Sequence, residues 1–320
     1  MHGSSEEPFA QHTESEWEAP EGLRCQANPL DRSRPGHSGS QNQLTSGEMA
    51  HKSRIGQNFL KDTAAMERIA SALGDLSTRT VVEIGPGRGA ITHALAARAA
   101  HVVAVELDEI LAALLQTEFP AEKLTVVRED VLKFDLAAAS RQYGGPLALV
   151  GNLPYYITSP ILLKLAENHA HLDVAVLMVQ REVSERVTAQ PSSRDYGLLS
   201  VTAQMYGPVQ QLFVLPPEAF SPPPEVHSAV FRWRFAPRFV ELGVQEDSFL
   251  RFVRQAFAQK RKTLANNLRA AGFSNNTIAA ALEEAGLPGQ VRAEAISIED
   301  LAHLARLLAT DSGQLTAHSE

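Results

Sequence analysis

Asn152-Leu153-Pro154-Tyr155 puts a side-chain amide, a stiff turn and an aromatic ring into four consecutive residues. That set suits methylation of an exocyclic adenine amine. Such an amine is a poor nucleophile because its lone pair is delocalised into the ring. An Asn side-chain oxygen and a backbone carbonyl can accept the two amine hydrogens while the nitrogen pyramidalises, and acceptors fixed where charge develops need no reorganisation. Pro154 removes a backbone donor and stiffens the loop. Tyr155 offers a ring for an extruded base, a stacking contact worth about 1–3 kcal/mol. No strong general base is required, since the methylated ammonium sheds its proton readily. The bland alternative is an ordinary turn carrying an exposed aromatic.

A second constellation lies upstream. Glu83-Ile84-Gly85-Pro86-Gly87-Arg88-Gly89 follows an apolar run and precedes a helical pattern. Glycine permits a tight turn and close approach of a ligand to the backbone. Glu106 stands 21 residues beyond Gly85, where a carboxylate can accept two hydrogen bonds from a ribose diol. The G-x-G-x-G spacing departs from the dinucleotide fingerprint and offers no pyrophosphate cradle, which suits a nucleoside cofactor without phosphates, such as S-adenosylmethionine. Asp130 could accept from an adenine amino group, or could be a solvated turn acid. Taken alone, the glycine turn does not separate a methyltransferase from a dehydrogenase or from a turn without a ligand.

Positioning these groups requires a sheet. Thr80–Ile84, His101–Glu106, Leu124–Val127, Leu147–Val150 and Val174–Val179 read as strands, and Asp62 as the cap of a helix carrying Met66, Ile69, Ala70 and Leu73. Strands alternating with helices predict an α/β fold with a parallel sheet. Five prolines between 216 and 224 mark a stiff loop, and His227–Trp233 a last strand. Beyond it, Phe249, Phe252, Val253, Ala256 and Phe257 form a helical stripe, Ser274–Glu284 a second helix, and Ser297-x-x-Asp300 a capping box before a third.

Five ordered segments carry a family likeness: Gly56–Leu60, Glu83–Gly89, Asn152–Pro160, Tyr196–Ser200 and Phe220–Val230. Together they resemble the ribosomal RNA adenine N6-dimethyltransferases, most closely the bacterial small-subunit (16S) type, over roughly residues 51–310. The resemblance implies a Rossmann-like methyltransferase domain over 51–238 and a small helical RNA-binding domain over 239–312. A disordered tail (1–50) and a flexible C-terminus (313–320) would flank them. It further implies that Asn58, Leu60, Gly85, Gly87, Glu106, Asp130 and Asn152 hold S-adenosylmethionine. Asn152 and the Leu153 carbonyl would bind the target amine, with Pro154 shaping the turn, and Tyr155 and Phe220 would sandwich the target adenine. Tyr156 and His227 replace an Asn and an Asp common in the family. The implied partner is 16S rRNA in the small subunit or its precursor.

Composition limits the alternatives. The chain has 320 residues, 44% of them apolar and 21% charged, ordinary for one large or two smaller globular domains. Cys25 is the single cysteine; it allows no internal disulfide, and no Cys/His cluster suggests a metal site. No apolar stretch approaches membrane-spanning length, and the N-terminus lacks the pattern of a secretory signal. A cytoplasmic monomer is expected. The formal charge of −8 looks hostile to RNA, but its distribution does not. Residues 1–50 hold eight acids against three bases, so the remainder carries −3, while residues 248–282 contain six bases and no acid. Lys260, Arg261, Lys262 and Arg292 are the candidate phosphate contacts, with Arg251 a weaker one.

Overall fold

The apolar runs at Thr80–Ile84, His101–Glu106, Leu147–Asn152 and Leu172–Gln180 become central strands because their residues are buried on both faces. In the computed structural model, which describes residues 58–314, β1 (Phe59–Leu60) leads into α1 (Thr63–Ala72), β2 (Thr80–Ile84), α2 (Thr92–Ala96), β3 (His101–Glu106), α3 (Glu109–Glu118), β4 (Leu124–Arg128) and α4 (Leu136–Gln142). There follow β5 (Leu147–Asn152), α5 (Thr158–Glu167), β6 (Leu172–Gln180), α6 (Arg181–Thr188), α7 (Leu198–Met205), β7 (Val209–Leu215), β8 (Phe220–Ser221) and β9 (Ser228–Arg234). The chain closes with α8 (Glu246–Ala256), α9 (Leu264–Ala270), α10 (Asn275–Glu284) and α11 (Ile298–Gln314). Asp62 caps α1 as expected, accepting from the Ala65 amide at 3.0 Å.

Seven strands form one sheet in the order β4-β3-β2-β5-β6-β9-β7. Alternate residues serve two apolar layers. Val81, Val102, Ala104, Ala148, Val150 and Val176 pack beneath α1 and α2. Val82, Val103, Val105, Leu149, Leu177 and Phe231 face the other way, toward α5–α7. The parallel sheet predicted from sequence holds for β2 to β6. It does not hold at the far edge, where β9 runs antiparallel to both β6 and β7. The sheet is therefore mixed. Residues 216–227 between β7 and β9 carry no helix able to cross the sheet, so the chain can only turn back. The proline-rich stretch is mostly loop as predicted, but Phe220–Ser221 inside it pairs with Phe59–Leu60 as a two-stranded ribbon.

β2 is the switch point of the sheet. Chain order runs outward from it through β3 and β4 on one side, and resumes on its other side with β5 and β6. Open α/β sheets bind ligands at the carboxyl ends of strands at such a point. Here Ile84 pairs with Val105 on one side and with Gly151 on the other. The glycine turn, Glu106 and Asn152 are thereby delivered to one edge.

The helical region forms as predicted, with Ser274 Oγ accepting from the Thr277 amide at 3.1 Å and Ser297 Oγ from the Asp300 amide at 3.0 Å. Its Phe249, Phe252, Val253, Leu264 and Leu301 join the apolar layer that also holds Leu177 and Phe231. All described residues fall within one compact unit, so the change near 238 is one of secondary structure within a continuous core. The expected tail (1–50) lies outside the described residues. Gly313 and Gln314, expected in a flexible terminus, end α11, and the remaining C-terminal residues lie outside the described ones. Among the described residues no helix is long and apolar enough to cross a membrane.

Candidate active site

A cavity of about 300 Å³ opens at the switch point, within the range of small-molecule sites. Every cofactor residue singled out from sequence lines it: Asn58, Leu60, Gly85, Gly87, Glu106, Asp130 and Asn152. So do Leu153, Pro154 and Tyr155. These residues come from five separate stretches of chain.

Glu106 is buried at the end of β3. Its Oε2 accepts from the Gly87 amide at 3.0 Å and its Oε1 from the Asp108 amide at 2.9 Å. One carboxylate thus latches the glycine turn and also faces the cavity, with lone pairs remaining for a diol. Gly87 has φ +60°, and a Cβ there would lie 2.9 Å from the Phe59 ring. Both the backbone and the space demand glycine. Asp130 stands two residues past β4; its Oδ1 accepts from the Leu132 amide at 2.9 Å, and the carboxylate keeps its second oxygen for an amine. This set, two carboxylates flanking a glycine turn with no lysine or arginine among the lining residues, fits an uncharged ribose and adenine better than a pyrophosphate.

Asn152 ends β5. Its Nδ2 donates to the Asn58 carbonyl at 3.0 Å. A carbonyl only accepts, so the amide orientation is fixed and Oδ1 is left as the acceptor. The Leu153 amide donates to the Met178 carbonyl at 2.9 Å, which fixes the Asn152–Leu153 peptide plane at the end of β5. Thr158 Oγ1 donates to the Pro154 carbonyl at 3.0 Å, closing the turn. The Tyr155 hydroxyl and Ser228 Oγ share a hydrogen bond of 3.1 Å, which holds the half-buried ring. Tyr156 is 66% exposed and also lines the cavity.

Phe220 is the predicted residue that the structure does not bring to the cavity. It is 1% exposed and opposes Leu60 in the β1–β8 ribbon, packed with Ile69 and Ala65. Its spacing gave no hint of this, because β1 lies some 160 residues earlier in the chain.

Three features of the site go beyond the roles expected from sequence. Asn58, expected only at the cofactor, also holds Asn152 through its carbonyl, and Ser228 anchors Tyr155. Neither signal is legible in sequence, because each depends on distant chain segments meeting across the sheet. Glu83 is the third. An acid inside an otherwise apolar strand was the available clue. It is 2% exposed, lines the cavity and accepts from Thr92 Oγ1 at 2.7 Å. Burial pushes its carboxyl up to about 7, the Thr92 bond opposes this, and the Glu106 charge adds to it. Because the folded-state value exceeds the ordinary one, ionising Glu83 costs stability as pH rises from about 4.5 to about 7. Glu83→Gln is expected to stabilise the protein relative to wild type by roughly 2–3 kcal/mol more at pH 8 than at pH 5. Urea unfolding at the two pH values checks this; an equal difference at both would contradict it.

A family model described as ribosomal RNA adenine dimethylase matches residues 49–310. The chain belongs to that family. The dimethylase is 56% identical over 259 residues to the ribosomal RNA small subunit methyltransferase A of Acidobacterium capsulatum, covering 81% of this chain and 91% of that protein. It is 48% identical over 267 residues to the protein of the same name from Koribacter versatilis, covering 80% and 93%. Among solved structures it resembles the 23S rRNA methyltransferase ErmE, with a TM-score of 0.63 and 26% identity over 79% of this chain and 100% of that one. A dimethyladenosine transferase from Plasmodium falciparum shares its fold, with a TM-score of 0.68 and 22% identity over 79% and 98%. The dimethylase is thus a Rossmann-like, S-adenosylmethionine-dependent methyltransferase with a helical C-terminal region.

Proposed function

We propose that this dimethylase transfers methyl groups to N6 of two adjacent adenosines in the 3′-terminal hairpin of 16S rRNA, during small-subunit biogenesis. It would act as a cytoplasmic monomer on the small subunit or its precursor. The observation that carries the reading is the Asn152–Tyr155 turn, set in the same cavity as Glu106 and Asp130. When bound, S-adenosylmethionine supplies an electrophilic methyl group. Glu106 would hold its ribose and Asp130 its adenine, with Gly85 and Gly87 lying against it and Asn58 and Leu60 at its methionine end.

The protein's own residues do the rest. Asn152 Oδ1 and the Leu153 carbonyl accept the two amine hydrogens of the target base, localising its lone pair on nitrogen. Tyr155 presents one face to the base. Phe220, which the resemblance assigns to the other face, is enclosed in the β1–β8 ribbon and does not line the cavity. Asn58, by holding the Asn152 amide, presets the acceptor before substrate arrives, so little reorganisation is left for the reaction.

A large-subunit target is the second reading, favoured by the likeness to ErmE. The relatives at 56% and 48% identity are small-subunit enzymes by name, and they outweigh it. A non-catalytic assembly factor would have no need of an oriented Asn152. Incubation with labelled S-adenosylmethionine and undermethylated 30S subunits, followed by mass spectrometry of the RNA, tests the proposal. Dimethyladenosines in the small-subunit 3′ hairpin support it. No label, or label only in 23S rRNA, sinks it.

Lys260, Arg261, Lys262 and Arg292 are all exposed, as phosphate contacts require. Neutralising Lys260, Arg261 and Lys262 together should flatten the dependence of log affinity on log salt by about 2–3, at roughly 0.7–0.9 for each phosphate no longer neutralised. An unchanged slope in RNA binding would count against this face.

A further inference from the structure

The cations assigned above come from two stretches of the helical region. A third stretch, from the Rossmann-like part, reaches the same place. Lys260 Nζ donates to the carbonyl of Arg194 at 3.1 Å. Arg194 sits in the loop between α6 and α7. Two residues earlier, the Ser192 amide donates to the Glu294 carbonyl at 2.8 Å, and Glu294 follows Arg292 by two positions. The Leu264 amide donates to the Val291 carbonyl at 2.8 Å, which sets the Lys260–Lys262 turn beside Arg292. Chain segments far apart in sequence are therefore pinned to one another around Arg194, Lys260 and Arg292.

The loop is held in place rather than loosely apposed. Ser192 has φ 69°, a left-handed conformation that a non-glycine residue keeps only where its surroundings impose it. Ser193 Oγ donates to the Gln190 carbonyl at 2.7 Å. Tyr196, at the end of the loop, is buried and its ring stands edge-on to Phe257 at 6.1 Å, immediately before the basic turn. On the other side, Asn267 Nδ2 donates to the carbonyls of Ala256 and Gln259 at 2.7 and 3.3 Å. That bond fixes the start of the same turn from beneath.

Arg194, Lys260, Arg261, Lys262 and Arg292 are all exposed, and among the described residues none of the five lies within ion-pair distance of a carboxylate, although Asp195 and Glu294 are close in sequence. Elsewhere in the described residues Arg79, Arg98, Arg128, Arg181, Arg186 and Arg238 hold acids. A pre-ordered group of cations without internal ion-pair partners is what phosphodiester contacts need.

We infer that Arg194 is a phosphate-binding residue for the RNA substrate, and that Lys260 serves partly as the pin that presents it. This rests on the RNA-binding reading above. An ammonium has three donors; one is spent on the Arg194 carbonyl and two remain for phosphate. The RNA backbone then spans both parts of the chain, which couples its grip on the helical region to the placement of the cavity.

The test uses the full chain and undermethylated 30S subunits, with binding followed across a salt series. Arg194→Gln keeps the backbone carbonyl that Lys260 holds, so the fold and the pin survive. It should weaken binding several-fold and reduce the salt slope by about 1. In methyl transfer it should raise KM for the subunit and leave kcat near wild type, and Arg194→Lys should restore most of the slope. Lys262→Gln is the control for the face itself. Wild-type affinity and slope in Arg194→Gln, with both lowered in Lys262→Gln, would overturn the inference alone. Wild-type slopes in both variants would overturn it together with the reading on which it rests.

Discussion

Asn152→Ala is expected to lower methyl transfer by about 10²–10³-fold, the usual loss when one preorganised group facing developing charge is removed. Affinity for S-adenosylmethionine should stay within a few-fold of wild type. The separation follows from geometry. Asn152 Nδ2 is bound to the Asn58 carbonyl, so the side chain offers the cavity an acceptor, and the hydrogens it accepts belong to the target amine. Glu106 and Asp130, on other strands, are untouched. Asn152→Asp is a sharper probe, because it keeps the acceptor and loses the donor. Its carboxylate would oppose the Asn58 carbonyl, so it should also fall well below wild type. Single-turnover transfer to 30S subunits, with calorimetric titration of the cofactor, measures both quantities. Full activity in Asn152→Ala would remove the residue from its assigned role.

Glu106→Ala should weaken S-adenosylmethionine binding by about 10²-fold or more. Hydrogen bonds to a charged acceptor contribute about 1.5–3 kcal/mol each, and each 1.4 kcal/mol is about tenfold in affinity. Two effects combine. The ribose loses its acceptors, and the Gly87 and Asp108 amides lose the carboxylate that holds them at 3.0 and 2.9 Å. The turn is then free to depart from the left-handed conformation at Gly87 that the cavity requires. Glu106→Gln can keep one of these amides but not both, and an intermediate loss is expected. A dissociation constant within threefold of wild type in the alanine variant would show that the carboxylate carries neither task.

The ribosomal RNA likeness, the central strands, several helices and most of the site were legible from residue patterns. A strand buried on both faces writes a continuous apolar run, so β2, β3, β5 and β6 were visible. Glycines, prolines and caps punctuate locally, so the turn at Gly85–Gly89, the start of α1 and the capping box at Ser297 were visible too. α5 to α7 and β7 were not anticipated. α5 does carry a helical stripe, Thr158, Ile161, Leu162, Leu165 and Ala166, and was legible in principle, whereas in β7 several residues face solvent and no clean alternation survives.

What the sequence determined by itself, then, was the inventory: which groups could do chemistry, the local turns that bear them, and where basic residues concentrate. Those depend on interactions within a few residues. Tertiary structure decided which groups meet. The strand order put Gly85 and Asn152 side by side through the Ile84–Gly151 pairing, turned β9 antiparallel, enclosed Phe220 against Leu60, and brought Arg194 to Lys260. The residues of each such pair lie tens to more than a hundred positions apart. Their encounter is fixed by the packing of two apolar layers on one sheet, a free energy summed over the whole core that no local pattern encodes.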